Sequence, residues 1–166
     1  MAVTVLAFGS NLGDRKGYLK NAVQALQHRG ITLVRLASIY ETAPKGLETQ
    51  PWFLNSAALC HTDCDPGRLL EVCLTIEREN ERIRDHSNGP RTLDIDIVLY
   101  GDRVVNEPQL TIPHPRFAER RFVLVPVAEV APDFVDPISG KTIATLLAEC
   151  TDQGVVRRLS AFDETS

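Results

Sequence analysis

The sequence predicts an α+β sandwich, in which helices pack on an antiparallel or mixed sheet. Segments with the two-residue period of strands alternate with segments of helical period, but without the regular β-α-β spacing of a doubly wound sheet. A β-α-β unit opens the chain and hairpin signals occur later. A length of 166 residues suits one domain, so we expect a single domain over 1–166, with its core at about 3–150 and a flexible tail at about 160–166.

The charge pattern indicates a globular protein that binds an anionic ligand. Hydrophobic residues make up 43% and charged residues 24% of the chain, and the net charge of −4 argues against a general nucleic-acid binder. Eight of the 14 arginines lie between Arg78 and Arg121, a stretch that contains no lysine. Arginine is preferred over lysine where phosphate or carboxylate oxygens are bound by a planar fork.

The cysteines and the lengths of the apolar segments predict where in the cell the protein is found. Cys60, Cys64, Cys73 and Cys150 have no C-x-x-C spacing and no nearby histidine pair, so we expect reduced thiols, no zinc site and a cytoplasmic protein. The first six residues carry no basic leader, and no apolar stretch approaches the length of a membrane span. Neither a signal peptide nor membrane binding is expected.

The first quarter of the chain predicts a strand, a helix and a second strand. Val3–Phe8 has the apolar run of a buried strand, and the turn that follows ends at Asp14, a suitable helix N-cap. One helix face is formed by Leu19, Ala22, Val23 and Leu26. Gly30 ends this helix, and Ile31–Thr42 is rich in β-forming residues, with a bulge expected near Leu33-Val34.

The next predicted strand, Phe53–Thr62, places Phe53 and Asn55 on one face. Phenylalanine offers a stacking surface, and the Asn amide offers one acceptor and two donors side by side. The pair suits a flat heterocycle with an amino-keto edge. A core Phe beside an Asn near a turn is the alternative, which these two residues leave open.

A second helix is predicted to begin at Asp65-Pro66, with Asp as N-cap and Pro in the first turn. Its apolar face carries Leu69, Cys73 and Ile76. The helix leads into Arg82 and Arg84, which point to nearly opposite sides of a helix and act together only if the chain leaves the helix there. A solvated, charged helix end is the alternative.

The most informative stretch is 88–97, Asn-Gly-Pro-Arg-Thr-Leu-Asp-Ile-Asp-Ile. Its alternation predicts a strand with Asp94 and Asp96 on one face, their Cα atoms about 7 Å apart. Carboxylates that close repel one another, so the arrangement favours a hard divalent cation such as Mg²⁺ between them. The alternative is that the two aspartates only form the solvent-exposed polar face of a strand. The nearby arginines argue against this alternative. The opposite face carries Leu93, Ile95, Ile97 and Leu99.

The turn after this strand and the following loop add a histidine among arginines. Gly101-Asp102 predicts a hairpin turn, with Arg103–Asn106 as the returning strand. His114 stands between two prolines, so its ring direction is set by the backbone. The neighbouring arginines support a phosphate-binding role for it as well as a structural one; they are Arg116, Arg120 and Arg121.

The last part of the chain predicts two helices and a strand. Phe122–Val130 is apolar and is expected to be helical from Pro126. Another helical stripe consists of Ile143, Leu146, Leu147 and Cys150. Val155–Leu159 is expected to form a late strand.

Five motifs in this order resemble the 6-hydroxymethyl-7,8-dihydropterin pyrophosphokinase family, over roughly Val3 to Cys150. They are Gly9-Ser10-Asn11-Leu12-Gly13, Tyr40-Glu41-Thr42 with Pro44 and Gly46, Gln50-Pro51 with Phe53-Leu54-Asn55, Gly89-Pro90-Arg91-Thr92-Leu93-Asp94-Ile95-Asp96, and Ile112-Pro113-His114. The resemblance implies a ferredoxin-like α-β-α sandwich with a mostly antiparallel central sheet. It also implies an enzyme of folate biosynthesis that transfers pyrophosphate from ATP to the hydroxymethyl group of the pterin and releases AMP.

The resemblance further implies roles for individual residues. Asp94 and Asp96 would bind two Mg²⁺ ions together with ATP. The residues implied in ATP binding are Arg82, Arg84, Arg91, Ile97, Thr111, His114 and Arg120, of which Arg82 and Arg91 join the two aspartates as the catalytic set. The residues implied in pterin binding are Thr42, Ala43, Lys45, Phe53, Asn55 and Phe122, with the two phenyl rings on either side of the bicycle.

The implied partners are ATP and 6-hydroxymethyl-7,8-dihydropterin, without nucleic acid or membrane, and a monomer is expected. Members of the family often carry an Arg-Trp pair before Gly-Pro-Arg, where this chain has Ser87 and Asn88. Two alternatives remain open. One is a ferredoxin-like regulatory module that binds a nucleotide or small ligand without turnover, and the other is a related enzyme acting on a different alcohol.

Overall fold

The computed structural model describes residues 1–43, 51–81 and 92–162. The strands in this part of the chain are β1 (Ala2–Ser10), β2 (Thr32–Leu36), β3 (Ile39–Thr42), β4 (Phe53–Thr62), β5 (Asp94–Tyr100), β6 (Val105–Glu107), β7 (Leu110–Ile112) and β8 (Val156–Ser160). The α-helices are α1 (Arg15–His28), α2 (Pro66–Glu79), α3 (Arg121–Val130) and α4 (Ile143–Glu149).

The central sheet has the strand order β5-β1-β4-β3-β8, and β2 also pairs with β4. All of its pairings are antiparallel. Helix α1 therefore connects the parallel strands β1 and β2, with β4 between them. Helix α2 connects the parallel strands β4 and β5, with β1 between them. This is the split β-α-β arrangement of ferredoxin-like folds. The predicted α+β class and its antiparallel sheet are confirmed.

Two hydrophobic cores lie on opposite faces of the sheet. The first core joins the sheet to α1 and α2, and the second joins it to α3 and α4. Along β1 the side chains alternate between them: Leu6 and Phe8 belong to the first core, Val5 and Ala7 to the second. The α-β-α sandwich follows from a strand that is apolar on both faces.

The predicted starts of the first two helices and the predicted end of α1 are confirmed. The Asp14 side chain accepts a hydrogen bond from the N–H of Gly17 (3.1 Å) at the start of α1, and Asp65 accepts one from Arg68 (2.8 Å) at the start of α2. Gly30 ends the α1 segment with φ of +83°, in the left-handed region that favours glycine. The apolar residues named for these two helices are buried: Leu19, Ala22, Val23, Leu26, Leu69, Cys73 and Ile76.

One face assignment in β5 is wrong. Val5 pairs with Leu99, whereas its neighbour Leu6 pairs with Ile97, so Val98 is an extra residue in β5. A bulge of this kind reverses the alternation of side chains. Leu99 therefore lies in the second core and not with Leu93, Ile95 and Ile97, which remain in the first.

Two strand predictions require correction. The segment 31–42 forms two strands, β2 and β3, and not one, although the expected bulge is present between Leu33 and Arg35. The turn at Gly101-Asp102 is present, with a hydrogen bond of 3.0 Å from the Arg103 N–H to the Tyr100 carbonyl. The strand that follows, β6, pairs with β7 in a separate two-stranded sheet and not with β5.

The C-terminal part of the chain is more ordered by packing than its sequence indicates. Helix α3 begins at Arg121, five residues before the expected start at Pro126, because Val123, Leu124 and Val127 pack in the second core despite the proline. Strand β8 pairs with β3, and Phe162 lies in the first core with 5% exposure. The packed part of the chain therefore extends beyond residue 150.

Within the ranges 1–43, 51–81 and 92–162, no helix has the length and apolar character that a membrane span requires.

Candidate active site

A cavity of about 300 Å³ lies on the sheet face that α3 covers. Strands β1, β3, β4 and β5 and the segment around the start of α3 line it. The cavity brings together eight residues that the sequence nominated from four distant segments: Thr42, Ala43, Phe53, Asn55, Asp94, Asp96, Arg120 and Phe122. An acidic end and an aromatic, amide-bearing end therefore share one space.

The acidic end is formed by β5 against β1. Asp94 pairs with Gly9 and Asp96 with Ala7, and both carboxylates are partly exposed on the cavity face. In the described ranges there is no group of three or more His, Cys, Asp or Glu side chains suited to a metal ion. Two carboxylates beside an open cavity still fit Mg²⁺, which typically takes one or two protein carboxylates and completes its shell with water and phosphate oxygens.

A buried carboxylate supports the two aspartates from behind. Glu77 on α2 has 1% exposure and accepts a hydrogen bond of 2.8 Å from the N–H of Ile95, the residue between Asp94 and Asp96. Among the described strands β5 is at the edge of the sheet, so α2 supplies this N–H with a partner that none of those strands provides. Sequence reasoning missed Glu77, whose signal is a charged residue directly after Ile76 in the apolar stripe of the helix.

The cationic side of the cavity contains Arg120 and Arg116. The guanidinium carbon of Arg120 stands 5.8 Å from the ring centroid of Phe122. His114 donates its backbone N–H to the Val98 carbonyl (3.0 Å), and burial lowers the pKa of its imidazole, with Arg120 adding to the effect and Asp94 opposing it. Arg116 was noted in the sequence only as a neighbour of His114, and the structure places it in the cavity wall.

The opposite end of the cavity is formed by β3, β4 and the first turn of α3. The amide nitrogen of Asn55 donates a hydrogen bond of 2.6 Å to the hydroxyl of Thr42, which fixes the amide. Gly9 faces the same amide across the β1–β4 pair, and a Cβ atom at Gly9 would stand 2.9 Å from the amide oxygen. The absence of a side chain at Gly9 therefore provides the space that the Asn55 amide occupies. The rings of Phe53 and Phe122 complete this end.

Some expected site residues are not brought to this cavity. The side chain of Ile97 is 5% exposed and packs in the first core, on the opposite sheet face, so a contact with ATP would involve only its backbone. Thr111 is exposed on β7 and is not part of the cavity wall that the described residues form. His114 is not among the described residues that line the cavity either, although its imidazole interacts electrostatically with Arg120 and Asp94, which are. The other expected residues lie outside the described ranges: Lys45, Arg82, Arg84 and Arg91, together with Ser87 and Asn88.

Comparison with curated proteins identifies relatives over most of the chain. A protein of Methylorubrum extorquens named 2-amino-4-hydroxy-6-hydroxymethyldihydropteridine pyrophosphokinase is 42% identical over 158 residues, which cover 95% of this chain and 99% of that protein. A protein of Bacillus subtilis with the same name is 46% identical over 129 residues, or 77% of each chain. A folic acid synthesis protein of Pneumocystis carinii is 35% identical over 150 residues, which are 90% of this chain but 20% of that one.

Comparison with solved structures supports the fold. A crystal structure described as HPPK-DHPS in complex with substrates aligns with 89% of this chain at a TM-score of 0.69 and 13% identity. The wild-type HPPK-DHPS of Plasmodium falciparum aligns equally well, at 0.69 and 15%. This chain spans 43% and 44% of those two chains. A sequence model of the 7,8-dihydro-6-hydroxymethylpterin-pyrophosphokinase (HPPK) family matches residues 5–132, the range that contains every residue of the cavity described above, and the chain belongs to this family.

Proposed function

We propose that this chain transfers the pyrophosphoryl group of ATP to the hydroxymethyl oxygen of 6-hydroxymethyl-7,8-dihydropterin and releases AMP. Membership of the pyrophosphokinase family and the names of relatives at 42% and 46% identity support the reaction. The observation that carries the assignment of residues is that paired carboxylates and an aromatic, amide-bearing pocket line one shared cavity.

The pterin is proposed to bind at the end of the cavity formed by Thr42, Ala43, Phe53, Asn55 and Phe122. Two phenyl rings would stack on the faces of the bicycle, and the amide of Asn55 would bind its amino-keto edge. The hydrogen bond from Asn55 to Thr42 supports this role, because an amide held in one orientation offers its remaining groups in a defined direction. Lys45 is included in the proposed pocket on the resemblance alone.

The triphosphate of ATP is proposed to bind at the acidic and cationic end. Asp94 and Asp96 would hold two Mg²⁺ ions, which when bound neutralise phosphate charge and orient the reacting oxygens. Arg120 and Arg116 line the same cavity, and guanidinium groups are suited to phosphate oxygens by their charge and planar geometry. Burial and Arg120 lower the pKa of His114, and its Nδ1 accepts the Arg116 N–H at 3.4 Å, so the neutral ring carries its proton on Nε2 and could donate one hydrogen bond to a phosphate oxygen.

In the proposed reaction the hydroxymethyl oxygen bonds to the β-phosphorus of ATP, while the bond between that phosphorus and the oxygen shared with the α-phosphate breaks. AMP leaves with that oxygen, and the proton of the attacking hydroxyl group passes to the solvent. A transfer of this kind needs alignment and charge stabilisation more than covalent catalysis. The task of the protein is therefore to hold the alcohol in line with the leaving oxygen, which two binding ends in one cavity can do. Arg82, Arg84 and Arg91 belong to the proposed phosphate-binding set through the family resemblance, as do Ile97 and Thr111.

A regulatory module without turnover is not favoured, because relatives that are matched over 99% and 77% of their length are named as pyrophosphokinases. The proposal takes the enzyme to be a single-domain, cytoplasmic monomer, with which four free cysteines are compatible. Sedimentation at enzyme concentrations tests the oligomeric state.

The direct test is to incubate the protein with ATP, Mg²⁺ and 6-hydroxymethyl-7,8-dihydropterin and to separate the nucleotides. AMP and a pterin diphosphate should form in equal amounts, and neither should form when the pterin or Mg²⁺ is omitted. Asp96→Asn should lose this activity, whereas Asp102→Asn, a matched change in the turn after the same strand, should keep it. Formation of ADP in place of AMP, or no product, would refute the reaction.

A further inference from the structure

We propose that Asp152 is a positioning residue for the pterin pocket, because its carboxylate holds the first turn of α3 and with it the ring of Phe122. This inference rests on the proposed function, since it concerns the same cavity. Asp152 lies in the segment between α4 and β8, beyond the residues 5–132 that the family model matches. A part of the chain outside that match would then shape the substrate site.

The first turn of α3 has no cap of its own. Arg120, the residue before the helix, has an extended backbone, and its side chain makes no capping hydrogen bond. The first N–H groups of a helix have no partner within the helix. An oxygen of the Asp152 carboxylate accepts the hydrogen bond of the Arg121 N–H at 3.0 Å, and its negative charge lies at the positive end of the helix dipole.

The segment that carries Asp152 is fixed on its other side to β3. The second carboxylate oxygen of Asp152 accepts a hydrogen bond from the Gly154 N–H (2.9 Å), which turns the chain towards β8. The carbonyl of Val155 then accepts a hydrogen bond from the N–H of Ala43 (3.3 Å), directly after β3. Residues 152–155 therefore connect the first turn of α3 to the end of β3.

These two elements form two sides of the proposed pterin pocket. Phe122 follows Arg121 in the first turn of α3, and Thr42, which holds the amide of Asn55, is the last residue of β3. Both Phe122 and Thr42 line the cavity. The separation of the ring from the amide is thus set in part by the 152–155 segment.

The C-terminal end of α3 is anchored independently. The Glu129 carboxylate accepts hydrogen bonds from the Ser38 N–H (3.0 and 3.1 Å) and the Tyr40 hydroxyl (2.6 Å). Loss of the Asp152 contact should therefore leave the helix docked on β3 and displace mainly its first turn. Phe122 would move with that turn, whereas Arg120 has a long side chain that can adjust. Pterin binding should suffer more than nucleotide binding.

The test compares Asp152→Ala and Asp152→Asn with the wild type in the full chain. Pterin affinity is measured by fluorescence titration with saturating Mg²⁺ and a non-hydrolysable ATP analogue. Asp152→Ala should raise the dissociation constant of the pterin about five- to tenfold, as expected for the loss of a helix cap. Asn offers one acceptor oxygen for the two N–H groups that Asp152 binds, so Asp152→Asn should restore the affinity only in part, to a dissociation constant between those of Asp152→Ala and the wild type. In turnover, KM for the pterin should rise while kcat stays within about twofold.

The matched control is Asp65→Ala, which removes the same type of cap from α2 without touching the cavity. It should lower the midpoint of urea unfolding without changing pterin affinity. Should Asp152→Ala fail to fold, Asp152→Glu supplies the test: it keeps the charge but moves the carboxylate by one methylene, and pterin affinity must fall.

Three outcomes overturn the proposal. They are unchanged pterin affinity in the folded Asp152→Ala or Asp152→Glu variant, equal loss in Asp152→Ala and Asp152→Asn, and equal weakening of pterin and ATP analogue. Each would reduce Asp152 to a contributor to stability. The wild-type assay separates this failure from that of the proposed function: if the wild type forms AMP and the variants bind pterin normally, only the positioning role is wrong.

Discussion

The replacement of Gly9 by alanine should damage pterin binding while leaving the fold intact. Gly9 lies in β1 without a positive φ, so alanine is tolerated by the backbone. Its Cβ would stand 2.9 Å from the amide oxygen of Asn55, inside the roughly 3.3–3.6 Å of close C···O contacts. Asn55 is 7% exposed and is held by the 2.6 Å hydrogen bond to Thr42, so its amide cannot move without weakening that bond.

The expected loss of pterin affinity follows from the hydrogen bond between Asn55 and Thr42, which must weaken. Displacement of a buried, hydrogen-bonded amide costs about 1–3 kcal/mol. If this free energy is lost from the contact between the Asn55 amide and the pterin, the dissociation constant of the pterin should rise roughly 5- to 150-fold. Affinity for the ATP analogue should change by less than about threefold, because the acidic end of the cavity keeps its side chains. Isothermal titration with each ligand measures both constants.

A double-mutant cycle with Asn55→Ala tests whether Gly9→Ala acts through the Asn55 amide. If Gly9→Ala acts only through the amide, it should add nothing when Asn55 is already alanine, and the coupling energy should equal its single effect. Gly67→Ala is the matched control, since a Cβ there would meet only Asp65, at 3.6 Å. Additive losses in the cycle, or a loss of ATP affinity equal to that of pterin, would show that Gly9 does not serve the amide.

Three further perturbations test the other end of the cavity. Asp94→Asn and Asp96→Asn should each lower the rate by about 10³-fold or more without unfolding the protein; near-normal rates at saturating Mg²⁺ would contradict their role as metal ligands. Glu77→Ala should lower the free energy of unfolding by about 1–3 kcal/mol in urea titrations and raise the Mg²⁺ concentration needed for activity. Glu77→Gln should recover most of both properties, because its amide oxygen can still accept the Ile95 N–H. No recovery by Gln would mean that the charge matters more than the hydrogen bond. The folded-state pKa of His114 lies below its ordinary value of 6.5, mainly through burial, so the stability that neutral His114 contributes is complete above pH 6.5 and is lost as the pH falls through the lowered value. His114→Asn should therefore flatten the pH dependence of unfolding below pH 6.5, and an unchanged slope would contradict this.

The fold class and part of the cavity could be predicted from local patterns, whereas Thr42, Ala43 and Phe122 were reached only through the family resemblance. The caps at Asp14 and Asp65, the alternation along β5 up to Ile97, and the shared face of Phe53 and Asn55 are all set by residues close in sequence. These patterns place side chains on the correct face before any tertiary contact is known.

What could not be predicted depends on contacts between distant segments. The bulge at Val98 is a matter of pairing with β1, and nothing in the alternation of β5 marks it. The start of α3 at Arg121 depends on the second core and on Asp152, 31 residues further along the chain. The support of Ile95 by Glu77 likewise joins residues 18 apart in sequence, and only the docking of α2 against β5 reveals it.

The position of β5 at the edge of the sheet has a consequence for the behaviour of the protein in concentrated solution. An apolar edge strand with open N–H and C=O groups is a template on which another chain can add a strand and begin to aggregate. Here the outward N–H of Ile95 is taken by Glu77, and the carbonyl of Val98 by the N–H of His114. The Glu77 contact that supports the two aspartates thus also blocks strand addition, and a substitution that removes it would expose this part of the edge to self-association.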